Sequence, residues 1–136
     1  MRTIVLDNEA VRALIDAGHR KHRVVIAHVA GVAVRRRKGQ AVTIVVPTAV
    51  RVEAGWDRSD PRRAVANQIR VRDAALDTRV ANEGAEIALL TGVSVADAHV
   101  GAVVQGLATG DVVFLTSDPK DMERVSAPRP ITAIRI

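Results

Sequence analysis

Short apolar runs alternate along this chain with segments whose apolar residues recur every three or four positions, the pattern of strands alternating with helices. Thr3-Ile4-Val5-Leu6 reads as a buried strand that stops at Asp7. Asp7 or Asn8 then caps a helix whose inward stripe is Val11, Leu14 and Ile15 and which Gly18 closes. A second helix is expected from Lys21 to Arg37. Val42 to Val46 forms the next strand, ended by Pro47, and Thr48 caps a short helix over Ala49 to Ala54. Pro61 suits the first position of a helix over Arg62 to Arg70, Val71 to Leu76 is a third strand, and Asp77-Thr78 caps a helix that Gly92 ends.

From Gly92 to Met122 the pattern runs helix, turn, strand, turn. Ser94 is the cap of a helix in which Val93, Asp97, Val100 and Val104 fall within roughly 60° of one another, so a carboxylate shares an apolar stripe. The Gly110-Asp111 turn leads into Val112 to Leu115, which ends in Thr116, Ser117 and Asp118 before a short helix. Ile131 to Ile136 alternates as a final edge strand. The whole predicts one α/β domain over residues 1–136, with a mostly parallel sheet covered by helices on both faces.

A chain of this length buries roughly two-thirds of the surface its unfolded form exposes, without disulfide or metal staples. It has no Cys, one Trp and one Phe, so Val, Ala, Leu and Ile must build the core. No apolar stretch reaches the ~18 residues of a membrane span, and a cytoplasmic location with no membrane partner is expected. The net charge of +5 points to a polyanion partner, most simply nucleic acid, or else to a solvated basic face. Arg35, Arg36, Arg37 and Lys38 close the second helix, where they either complement its dipole or contact phosphates. Arg20, Lys21 and Arg23, in the same helical hairpin, are expected to enlarge that surface.

The acids carry the candidate chemistry. Asp7 and Asp118 follow strands, and Asp97 opens a helix on its apolar side. Glu53 lies with Ala49 and Trp56 on an inward-tending face, Trp56 serving as a lid on the core. Capping explains Asp7 and Asp118, and Ser94-x-x-Asp97 fits a loose capping box. It does not explain Glu53, nor the convergence of all four if the strands are parallel. Carboxylates gathered in one crevice repel unless a hard divalent cation neutralises them, and magnesium or manganese is the natural occupant. Such an ion activates water against a phosphodiester. His99, about 200° from Asp97 on the helix, is expected to face solvent, and His19, His22 and His28 lack zinc spacing. There is no Gly-rich phosphate loop and no Gly-x-Ser-x-Gly.

Four short motifs, in order and spread over nearly the whole chain, carry a resemblance: IVLDNEAV, VRVEAG, SVADAHVGAVV and FLTSDPKDM. With them the sequence resembles the PIN-domain family, and within it the VapC-like toxins of bacterial toxin–antitoxin pairs. The resemblance implies a three-layer α/β/α sandwich that binds magnesium or manganese and cleaves RNA, as a homodimer blocked by a cognate antitoxin. Asp7, Glu53, Asp97 and Asp118 would be the catalytic, metal-binding acids, Thr116 the hydroxyl that orients the site, and Asp121 an outer acid. Asn8 and Glu9 follow Asp7 where the family has Thr or Ser, so Asn8 would take the supporting role. Two rivals stay open: a nucleic-acid-binding module without turnover, and a small-molecule phosphoryl-transfer domain.

Overall fold

The valine-rich runs pair into one sheet in the computed structural model, which describes all residues from Met1 to Ile136. Its strands are β1 (Arg2–Leu6), β2 (Val42–Pro47), β3 (Val71–Ala74), β4 (Asp111–Thr116) and β5 (Thr132–Arg135). They run in the order β3-β2-β1-β4-β5, and every neighbouring pair is parallel. Val5 stands level with Val45 and Phe114, so the central strands stack their side chains in rows. Both faces of such a sheet must be buried, which is why β1, β2 and β4 are nearly continuous in apolar residues. The five-stranded parallel sheet between helices is the α/β sandwich expected from the sequence.

The helices are α1 (Asn8–Ile15), α2 (His22–Arg37), α3 (Thr48–Ala54), α4 (Ala64–Gln68), α5 (Thr78–Thr91), α6 (Val95–Gly106) and α7 (Pro119–Ser126). α1 packs on α2, while α6 lies between α5 and α7 in the opposite layer and α3 bridges α1 to α6. Where α6 crosses α7, Gly101 is the contact: a Cβ there would stand 2.5 Å from the Val125 carbonyl oxygen. Trp56 and Phe114 are both buried in the core, Trp56 donating from Nε1 to Asn67 Oδ1 at 2.9 Å.

Local capping chemistry follows the sequence at Asp7, Asp77, Ser94 and Asp118, each accepting from a backbone N–H three residues on. Gly92 closes α5 in the left-handed region at φ 70°. Three expectations are corrected. Asp16, not Gly18, ends α1, and the Asp16 carboxylate then accepts from the Gly18 N–H. Thr48 is the first residue of α3 rather than its cap, and its hydroxyl accepts from the Leu76 N–H, tying α3 to the loop after β3. The helix expected over Arg62 to Arg70 is a 3-10 turn, Pro61–Arg63, followed by the short α4.

Candidate active site at the carboxyl edge of the sheet

Strand order reverses at β1, which lies between β2 and β4, and parallel sheets open a crevice at such a switch point beyond the strands' carboxyl ends. Asp7 leaves β1 and Asp118 follows β4 across that crevice, while α3 and α6 bring Glu53 and Asp97 to its other side. Together with Asn8, Glu9 and Asp121 these residues line one cavity of about 210 Å³. Four stretches of the chain, the first at Asp7 and the last at Asp118, thus meet at one place.

Asp7 is 6% exposed, and its Oδ1 accepts from the Ala10 N–H at 2.9 Å. Burial raises its pKa above the usual carboxylate value, opposed by the Thr116 hydroxyl and the N–H groups of Ala10 and Ser117. Thr116 is fully buried, and its Oγ1 accepts from the Asp118 N–H at 2.9 Å. One hydroxyl therefore steadies the acids that end β1 and β4. Asp118 accepts from the Asp121 N–H, and Asp121 pairs with Arg124 at 3.1 Å.

Asp97 donates its backbone N–H to Ser94, but the return bond of a capping box is not formed. Its pKa is pushed up to about 6, first by burial and then by Asp121, Glu53, Asp7 and Asp118. Glu53 stands exposed at the rim, and its backbone carbonyl accepts from Arg12 at 3.3 Å. Arg12 also donates from Nε to Asn8 Oδ1 at 2.7 Å, so it clamps α1 to α3. The sequence reading passed over Arg12, although its spacing of four residues from Asn8 puts both on one helix face.

No ion pair of the protein includes Asp7, Glu53, Asp97 or Asp118, in a chain of net charge +5. Unpaired like charges around a partly buried cavity fit a hard divalent cation with oxygen ligands. As they stand, no three of these side chains are arranged to hold an ion.

Two placements differ from expectation. His99 is 1% exposed, not solvent-facing, and its Nδ1 accepts from the Ala49 N–H at 3.2 Å. The helical angle to Asp97 was correct, but α6 is buried at every position from Ala98 to Val104, so its middle has no wet side. The two basic clusters occupy opposite ends of α2 rather than one surface. Lys21 reaches Glu9 at 3.7 Å, beside the acids. Arg36 donates to the carbonyl of Val42, where β2 begins, which puts Arg35, Arg36, Arg37 and Lys38 at the amino edge of the sheet. A strand length of about 17 Å separates them from the acids. A larger cleft of about 510 Å³ adjoins the site across Glu53 and Ser94, but Val52, Leu76 and Val95 give it an apolar lining with no reactive group beyond the rim.

Neither a protein-family model nor a curated protein matches the sequence. Among solved structures, the chain is similar to one described as the crystal structure of VapBC2 from Rickettsia felis bound to a DNA fragment from their promoter. The TM-score is 0.55 at 11% identity, over 98% of each chain. At that identity the likeness is one of fold alone: the chain shares with that structure its α/β architecture.

Proposed function

We propose that this protein is a metal-dependent ribonuclease of the PIN toxin type, hydrolysing RNA phosphodiesters at the acidic cavity. The observation that carries the reading is the meeting of Asp7, Glu53, Asp97 and Asp118 around one cavity with no cationic partner. Magnesium or manganese held by these four acids would supply a Lewis acid and a bound water of lowered pKa.

The chain's own residues prepare that chemistry. Ala10 and Thr116 fix the Asp7 carboxylate, and Thr116 also fixes the backbone at Asp118. Asp97, with a pKa raised to about 6, holds its negative charge at a cost that a bound cation removes. Burial of Asp7 and Thr116 keeps bulk water from competing for their hydrogen bonds. Arg12 holds the Asn8 oxygen, so Asn8 supports the site through α1 rather than by offering that oxygen to an ion.

The likeness to a VapBC2 structure supports a cognate antitoxin as partner. The exposed apolar side chains Val52, Leu89, Leu90 and Val95 support a protein interface, with the antitoxin or with a second copy in a homodimer. A labelled single-stranded RNA incubated with the protein tests the reading. Cutting is expected with manganese, and none with chelator or with Asp97→Asn. Equal cutting in chelator would overturn the metal dependence, and intact RNA at every manganese concentration would overturn the nuclease and leave the binding module without turnover.

A further inference from the structure

Charge is segregated along this fold. The unpaired acids crowd the carboxyl edge of the sheet, whereas the amino edge gathers arginines from three separate stretches of sequence. A cavity of about 410 Å³ lies there between the end of α2 and the starts of β2 and β3. Arg36, Arg70 and Arg72 line it over a floor of Val42, Ile44 and Val71, with no acid among its walls. Arg72 also lines a second cavity of about 200 Å³ that runs beneath β2, β1 and β4. On the other side of α2, Arg2 and Arg35 line a third, of about 390 Å³. The one acid in these three cavities is Asp111, which is exposed and 3.9 Å from Arg2.

The guanidinium groups of Arg35, Arg70 and Arg72 donate to nothing in the protein, in contrast to that of Arg129, which is spent on the carbonyls of Val104, Leu107, Ala108 and Gly110. Adjacent strands are about 4.8 Å apart, so arginines disposed from Arg72 on β3 across to Arg2 on β1 make a track of roughly 10 Å rather than a point. The unpartnered guanidinium groups of Arg35, Arg70 and Arg72, flanked by Arg2 and Arg36, match a chain of phosphates, each of which takes a planar fork of two donors. We propose that this amino edge is a second nucleic-acid surface, gripping the phosphodiester backbone of RNA at a distance from the acidic cavity. It rests on the proposed ribonuclease reading for the choice of RNA, but not on cleavage. Trp56 and Phe114 are buried, so no aromatic platform is present to stack bases, and binding is governed by phosphate contacts and indifferent to sequence.

The test is fluorescence anisotropy of a labelled mixed-sequence single-stranded RNA in chelator, over a salt series, with duplex DNA of the same sequence in parallel. For the parent protein, binding is expected to weaken steeply with salt. The double variant Arg70→Ala with Arg72→Ala loses two phosphate contacts, and its slope of log K against log salt should be shallower by about 1.4, at ~0.7 per contact on a single strand. Arg79→Ala, which removes an exposed arginine of α5 that lines none of these cavities, should keep the parent's slope, which separates contact at this surface from a general loss of positive charge. Arg70 and Arg72 are exposed and unpaired, and native circular dichroism verifies that the double variant is folded. An unchanged slope in a folded double variant overturns the inference, as does a parent that binds no RNA at low salt, which would assign the edge to an acidic protein partner. Tighter binding of duplex DNA than of RNA also overturns it. Loss of slope in a protein that never cuts RNA sustains this surface and removes the nuclease reading alone.

Discussion

Replacing Asp97 by Asn should make the protein more stable in the absence of metal and less stable in its presence. The shift of Asp97 from 3.8 to about 6 sets the size of the first effect. At about 1.4 kcal/mol per pKa unit the full penalty for ionising Asp97 in the fold would be about 3 kcal/mol, and its half-buried position reduces this to ~1–2 kcal/mol by solvent screening. Between about pH 4 and 6 the folded state retains a proton that the unfolded chain has released, so this group's contribution falls as pH rises through that window and is level above it. An isosteric neutral amide does not titrate. In chelator at pH 7.5 the variant should therefore melt about 3–8 °C above the parent, while near pH 4.5 the two should nearly coincide. Manganese at 100 times its dissociation constant adds about 2.7 kcal/mol to the parent, which reverses the order at pH 7.5. Thermal melts by circular dichroism at the two pH values, each with chelator and with manganese, measure all of this. Equal melting temperatures in chelator at pH 7.5, or a difference that ignores pH, would refute the crowding of charge on which the site rests.

Asp7→Asn separates capping from metal binding: Asn is an equally good cap, so the melt in chelator should stay level or rise slightly, while most of the manganese-induced gain disappears. Thr116→Val keeps the shape of a fully buried side chain but leaves the Asp118 N–H without its acceptor, and urea unfolding should show a loss of about 1–3 kcal/mol that Thr116→Ser largely restores. Gly101→Ala drives a Cβ into the Val125 carbonyl between α6 and α7, so a loss of about 1–3 kcal/mol is expected in the same assay, against near-neutrality at the open Gly31.

The elements and their caps were legible along the chain because they depend on neighbours three or four residues away. Ser94, Asp77 and Asp118 each meet a backbone N–H in the next turn, and Gly92 adopts a φ that few other residues tolerate. The acids were legible for a related reason. Parallel strands end at one edge, so Asp7 and Asp118, written just after two apolar runs, had to share it once the sheet was parallel. What lay outside the sequence was decided by which elements pack against which. His99 became buried because α5, α7 and α3 enclose α6, and no angle measured on a single helix contains that information. Lys21 and Arg35 parted to opposite edges because α2 runs the height of the sheet, whereas sequence proximity had suggested one surface. Arg70 and Arg72 joined Arg36 only because β3 pairs with β2 at Ile44 and Val71, a register set by long-range hydrogen bonds and the burial of one face.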